Sequence, residues 1–357
     1  MQKTSGAATQ KKTSQEKILL QALAGEVTPR VPFWLMRQAG RYLPEYQALR
    51  KEAGSFMGLC FNPKMATEVT LQPVRRFGMD AAILFSDILV IPYALGQGLD
   101  FVEGEGPRLG AFEGFNGFRE INFTAFDEKL QPVYETVRST RKELEADKAL
   151  IGFAGGPWTV ACYMVQGQGD SEFNQAKKLA FSRPQEFDVL ISTLVNATSR
   201  YLLGQIRHGA DVVQIFDSWA GLLPEPYFTR WVIQPTREIV SNIRKAHPDF
   251  PVIGFPRRAG DLYKPYAEKS GVSCVGLDQY FPVEKAAALF GSAAALQGNL
   301  DPVFLLTGGK PLEDEVARIL AATKNTPFIF NLGHGVIKET PPENVSTLAE
   351  ILKAYRR

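Results

Sequence analysis

Asp80-Ala81-Ala82-Ile83-Leu84-Phe85-Ser86-Asp87 is a nearly continuous apolar run that closes on two polar residues. Strict alternation would mark a strand with one wet face, whereas a run apolar throughout marks a parallel strand covered on both sides. Ahead of it lies a helix whose start is written in Asn62-Pro63, Asn as cap and Pro in the first turn, running to about Phe77. The exit through Ser86-Asp87 is unusual for such a strand, because a carboxylate is rarely buried without a partner. One unit therefore supplies an architecture, helix then covered strand, and a chemical group at the strand's end.

The unit recurs in both directions. Upstream, a short helix over Gln15–Leu23 precedes a strand at Val31–Met36. Downstream, the Gly-rich stretch Gly96–Phe123 reads as a flap or hairpin, and Thr124 as the cap of a helix through Ala146. Ala149–Gly155 is a third strand, and helices begin near Trp158 and Pro184, the latter stopping at Gly209. Asp211–Phe216 is a fourth strand, followed by a helix over Pro226–Ala246 that Pro235 should break. Further strands read at Pro251–Phe255, Ser273–Leu277, Ala294–Gln297 and Pro327–Asn331, with a last helix from Pro342. Eight such runs, each followed by helix-type sequence, are the count for a single-domain α/β chain folded as a (β/α)8 TIM barrel. An open doubly wound sheet would need a switch point and usually fewer strands. No low-complexity linker divides the chain, so residues 16–357 read as the barrel and the polar residues 1–15 as a disordered tail.

Bulk properties narrow the function classes. A formal charge of +2 on 357 residues offers no general field for nucleic acid, so any anion site must be local. Cys60, Cys162 and Cys274 lie far apart, which fits a reducing, cytoplasmic setting and argues against a disulfide framework or a cysteine-rich zinc site. No apolar run reaches the roughly 18 residues of a membrane helix. The tail lacks the apolar core of a secretory signal.

A barrel of this kind carries its site at the C-terminal ends of the strands. After the first strand stand Arg37 and Arg41, with Arg50 one short segment later; their rigid forks of donors suit carboxylates. Asp87 ends the second strand. Gly155-Gly156-Pro157-Trp158 follows the third, with Tyr163 further on. Asp217 and Ser218 end the fourth, Arg257 and Arg258 the fifth, and Asp278 the sixth. Asn299 and Asp301 follow the seventh, and His334 ends the eighth. His334 lies between two glycines, a sign that something approaches the backbone closely. Position alone leaves Tyr163 as packing or contact, Ser218 as helix cap or contact, and Asp278, Asn299 and Asp301 as caps. No lysine stands in a Schiff-base setting, and no dinucleotide, P-loop, zincin or nucleophile-elbow motif is present. What remains is a pocket with arginines and one central acid.

Five stretches then carry a resemblance. Met36-Arg37-Gln38-Ala39-Gly40-Arg41-Tyr42-Leu43-Pro44-Glu45-Tyr46, Phe85-Ser86-Asp87-Ile88-Leu89, Gly152-Phe153-Ala154-Gly155-Gly156-Pro157-Trp158-Thr159, Leu296-Gln297-Gly298-Asn299-Leu300-Asp301-Pro302 and Asn331-Leu332-Gly333-His334-Gly335 resemble, in order, motifs of the uroporphyrinogen decarboxylase family. The resemblance covers Leu19 to Tyr355. It implies a barrel, a homodimer, and cofactor-independent loss of four acetate carboxylates from uroporphyrinogen III to give coproporphyrinogen III in haem and chlorophyll synthesis, with no metal. It implies Asp87, Arg37, Tyr163 and His334 as catalytic positions. Arg37, Gln38, Ala39, Arg41, Arg50, Asp87, Tyr163, Ser218 and His334 would contact substrate, and Ile83, Phe85 and Phe216 would form its apolar wall. Two departures stand out: Arg257 where relatives often carry lysine, and Gln279-Tyr280 in place of the common Trp-Thr. The rival within the same barrel superfamily is a cobamide- and zinc-dependent methyltransferase, which needs thiolate and histidine ligands together. A non-catalytic tetrapyrrole binder would keep the arginines but form no product.

Overall fold

The computed structural model describes residues 17–102, 106–115 and 121–357; the expected tail lies outside them, as does part of the Gly-rich flap. One parallel sheet of seven strands organises the chain. It begins with β1 (Ala81–Ile83). A separate antiparallel hairpin of β2 (Leu99–Val102) and β3 (Gly106–Leu109) occupies the flap region. The sheet continues through β4 (Ala149–Gly155), β5 (Val212–Asp217), β6 (Val252–Pro256), β7 (Cys274–Gly276), β8 (Ala295–Leu300) and β9 (Phe328–Leu332), each pairing with the next.

The segment expected as a strand at Val31–Met36 is reduced to a single parallel bridge between Phe33 and Phe330. Trp34 N–H donates to the Phe330 carbonyl at 3.3 Å, and Phe330 N–H to the Pro32 carbonyl at 2.8 Å. On its other edge, Asp80 N–H donates to the Phe33 carbonyl at 3.0 Å. The ring thus closes through this segment, which occupies the eighth staggered place. The ladder is sparse for a physical reason. Pro32 has no N–H, Phe33 N–H is taken by Asp80 Oδ2 at 2.9 Å, and Met36 N–H by Asn331 Oδ1 at 2.9 Å.

β1 is likewise shorter than its apolar run. Leu84 N–H still reaches the Ile151 carbonyl, but Phe85 N–H turns to Thr70 Oγ1 on the helix Pro63–Phe77. That swing carries Asp87 over the end of the barrel. Inside, Trp34 Nε1 donates to Gln297 Oε1 at 2.9 Å, and Gln297 Nε2 to Gln214 Oε1 at 3.2 Å. β5 and β8 are not neighbours, so this buried chain spans the interior; paired polar groups there fix one packing of the core.

Two local expectations are corrected. Asn122, not Thr124, caps the helix Phe123–Glu143, its side chain accepting from Thr124 N and Ala125 N. Pro235 does not break its helix: a π turn at Thr229–Ile233 leads into Gln234–Ala246, and Pro235 falls in the first turn, where its missing donor is tolerated. Asn62 caps as expected, accepting from Met65 N.

Candidate active site

Arg37 leaves the closing segment with a positive φ of 60°, a conformation that a non-glycine residue holds only when its surroundings fix it. Its backbone is held on both sides, Gln38 N–H donating to the Leu35 carbonyl and Val336 N–H to the Met36 carbonyl, each at 2.9 Å, and its stem packs on Gly335. A Cβ at that glycine would fall 2.7 Å from Arg37 Cγ and 3.0 Å from Nε, so the arginine stem lies directly on the glycine's backbone. Gly333, on the other side of His334, meets the backbone of Gln279 just as closely. The two glycines around His334 are therefore seats for neighbouring chain, one of them the arginine itself.

Asp87 is half-buried, and burial raises its carboxyl pKa against the opposing pull of Leu89 N–H and of Arg37. Its Oδ1 accepts from Leu89 N at 2.8 Å. Tyr163, on the helix Pro157–Gln166, sits edge-on to Phe173 at 5.3 Å. Burial raises its hydroxyl pKa, Asp87 pushes the same way, and Arg37 pulls it back. Arg37, Asp87 and Tyr163 thus form one electrostatic cluster.

His334 joins a second cluster at Arg37. Its Nδ1 is buried without a hydrogen-bond partner. Burial, then Arg37, Arg257 and Arg258, lower its pKa to about 3, so the imidazole is neutral near pH 7. Three guanidiniums act on this one uncharged ring, which makes the mouth strongly cationic. Among the described residues, none of Arg37, Arg41, Arg50, Arg257 and Arg258 is in an ion pair with a carboxylate.

Beneath lies an apolar layer. Phe216 shares the inward face with Gln214, one step nearer the mouth. Its ring meets Phe153 at 5.6 Å and Phe255 at 5.9 Å, both edge-on. Ile83 pairs with Ile151 in β4, and Phe85 packs edge-on against Tyr46 and Phe56, each at 5.7 Å. Arg41 and Arg50 both act on the Tyr46 hydroxyl, and Arg50 and Asp87 flank the buried Cys60. Cys60 carries no sequence signal for this placement; only the fold brings it beside Asp87.

Other strand-end residues prove structural. Asp217 accepts from Thr159 Oγ1 at 2.5 Å and Thr159 N at 3.2 Å, with burial raising its pKa to about 7. Gly156 leaves it room, since a Cβ there would come within 2.5 Å of the carboxyl carbon. Asp278 accepts from Tyr263 hydroxyl and from Tyr280 N, each at 2.8 Å, and from Arg258 N. Asn299 donates to the Asp278 and Phe281 carbonyls, and Asp301 caps the helix Pro302–Thr307. Gln38 is fully buried, its side chain held between Leu35 N–H and the Ala81 carbonyl, its N–H given to the Leu35 carbonyl at 2.9 Å and its own carbonyl accepting from the Tyr42 hydroxyl at 2.8 Å, so it braces the turn. Ala39 is half-buried beside it, and Ser218 is half-buried just past β5.

The three thiols are buried, and burial pushes each above its ordinary pKa, the opposite of what a zinc-thiolate site requires. Among the described residues no group of three or more His, Cys, Asp or Glu is gathered as metal ligands. No helix among them is long and apolar enough to cross a membrane.

Residues 14–355 match the family described as Uroporphyrinogen decarboxylase (URO-D). A protein named uroporphyrinogen decarboxylase from Rhodospirillum rubrum is 49% identical over 341 residues, covering 96% of this chain and 98% of the relative. One of the same name from a Chelativorans species is 50% identical over 341 residues, covering 96% and 99%. A solved methyltransferase from Methanosarcina mazei superposes with a TM-score of 0.74 at 21% identity, covering 94% of this chain and 97% of that one, a likeness of fold.

Proposed function

This chain belongs to the uroporphyrinogen decarboxylase family, and from that premise we propose that it removes CO2 from each of the four acetate side chains of uroporphyrinogen III, leaving methyl groups and coproporphyrinogen III. The reaction class is that of a carboxy-lyase in tetrapyrrole biosynthesis. The observation that carries the residue roles is the juxtaposition of a desolvated Asp87 with Arg37 at an otherwise cationic mouth.

Loss of CO2 leaves an electron pair that needs a sink, and the pyrrole can supply it. Protonation of the ring carbon between the nitrogen and the acetate-bearing carbon gives a cation whose charge reaches the acetate-bearing carbon. The C–CO2 bond breaks, its electrons form an exocyclic double bond, and the ring charge is neutralised as CO2 departs. The exocyclic methylene takes a proton to become methyl, and loss of the ring proton restores the pyrrole. In sum, one carboxylate is replaced by one proton, and no cofactor enters the balance.

Asp87 offsets the charge of the protonated pyrrole and accepts from its N–H. Such preorganised electrostatics is usually the largest catalytic contribution. Arg37 positions the departing carboxylate; a guanidinium keeps its proton and is a poor acid, so a proton delivered from its side is relayed through water. Tyr163, beside both, and neutral His334 complete the catalytic set. Arg41, Arg50, Ser218 and the main chain at Ala39 hold the remaining carboxylates, with Gln38 bracing that turn, while Ile83, Phe85 and Phe216 keep the macrocycle dry. The same reading includes a cytoplasmic homodimer, which sedimentation velocity would test.

The decisive experiment is anaerobic incubation with enzymatically made uroporphyrinogen III, the products oxidised and separated by carboxylate number. Stepwise appearance of species with fewer carboxylates, ending at coproporphyrin, is the expected result. Bound but unchanged substrate would favour a tetrapyrrole carrier instead.

A further inference from the structure

We propose that Arg257, with Arg258 beside it, anchors propionate carboxylates of the macrocycle on the side of the mouth opposite Arg37. This rests on the substrate reading above and goes beyond it, since it names a second pole of recognition.

Round the ring from the closing segment that carries Arg37, the order is β1, β4, β5, β6. Arg257 follows β6, the fifth of eight places, and so stands across the mouth. Its backbone is a firm mount: its N–H donates to the Asp217 carbonyl at 3.1 Å and its carbonyl accepts from Gly221 N at 3.0 Å. The side chain is half-buried, and Nε is buried with no hydrogen-bond partner. The nearest acid is Asp278, but its oxygens already accept from Tyr263 hydroxyl and from Arg258 and Tyr280 N–H groups.

Arg258 adds a second unpaired guanidinium, lying over the Tyr280 ring at 5.1 Å. It borders a cavity of about 300 Å³ together with Gly260, Asp278, Tyr280 and Phe281. Among the described residues neither arginine has a counter-ion, and a partly desolvated Arg257 beside a second cation is unfavourable unless a ligand brings negative charge. The lowered pKa of Arg257, from burial and then from Arg258, expresses the same strain.

The identity of the anion follows from the reaction. The acetates are consumed one by one beside Asp87, and the macrocycle must be re-presented for each. A grip that serves every round needs groups that survive every round, and those are the propionates, present in substrate and product alike.

The test compares wild type with Arg257→Gln and Arg257→Lys. With Gln, KM for uroporphyrinogen and the inhibition constant of coproporphyrinogen should both rise about ten-fold, the scale of one lost charge-assisted pair, with kcat within about two-fold. Lys should restore most of the loss. An unchanged KM, or a fall in kcat alone, would overturn the anchor. A raised KM with unchanged product inhibition would also overturn it, pointing to acetate rather than propionate. Equilibrium binding of coproporphyrinogen, measured without turnover, separates the two readings: a wild type that binds but does not decarboxylate sinks the function, and equal affinity in Arg257→Gln sinks the anchor. If that variant fails to fold, exposed Arg258→Gln should weaken binding about three-fold by removing the neighbouring charge, and no change would refute the proposal.

Discussion

Asp87 differs from the other acids at the barrel mouth in what engages its oxygens. Asp217 is held by Thr159, and Asp278 accepts three donors from the chain around it. Asp87 Oδ1 accepts from Leu89 N–H, which leaves acceptor capacity facing Arg37 and Tyr163. Asp87→Asn keeps the shape and removes the charge, so kcat should fall at least about a hundred-fold with KM little changed, as when one preorganised electrostatic partner is lost. Steady-state turnover within a few-fold of wild type would refute the charge-balancing role. Much of this cluster was legible in the chain, because a carboxylate at the exit of a covered strand and arginines after another are anomalies of composition. The assembly of His334 with Arg257 and Arg258 was not, since residues so far apart in sequence meet only through ring closure.

At the scale of elements, the barrel's units were readable while their edges were not. Apolar runs set where strands lie, but hydrogen-bond partners set how long they are. β1 stops where Phe85 N–H turns to Thr70, and the first expected strand thins to a bridge because side chains of Asp80 and Asn331 take its donors. The loop after β9 shows the same limit: its glycines announce close approach without saying to what. Gly335 has no positive φ, so alanine is allowed by its backbone and would fail only through overlap with the Arg37 stem. Gly335→Ala should therefore lower kcat about ten- to a hundred-fold by misplacing one guanidinium, while the melting temperature moves by only a few degrees. Equal activity in the variant, measured beside its thermal unfolding, would show that Arg37 does not depend on that seat.

For the whole molecule, closure is the critical event, and Asp80 organises it. Its carboxylate, 2% exposed as a residue, accepts from Arg30 at 2.8 and 2.6 Å and from Phe33 N at 2.9 Å, while its backbone joins Phe33 and Ala149. Asp80→Ala strands the Arg30 charge and frees a buried donor, which should destabilise by about 3–5 kcal/mol in denaturant unfolding. A loss under 1 kcal/mol would mean that the closing segment is held mainly by its apolar side chains. That seam has a further consequence for how the protein wears out. A cask leaks first at its loosest stave, and here that stave bears Arg37. Amide exchange should find Trp34 and Phe330 opening ahead of the β4–β5–β6 hoop. Mild heat or denaturant would then silence catalysis while circular dichroism still reports an intact molecule.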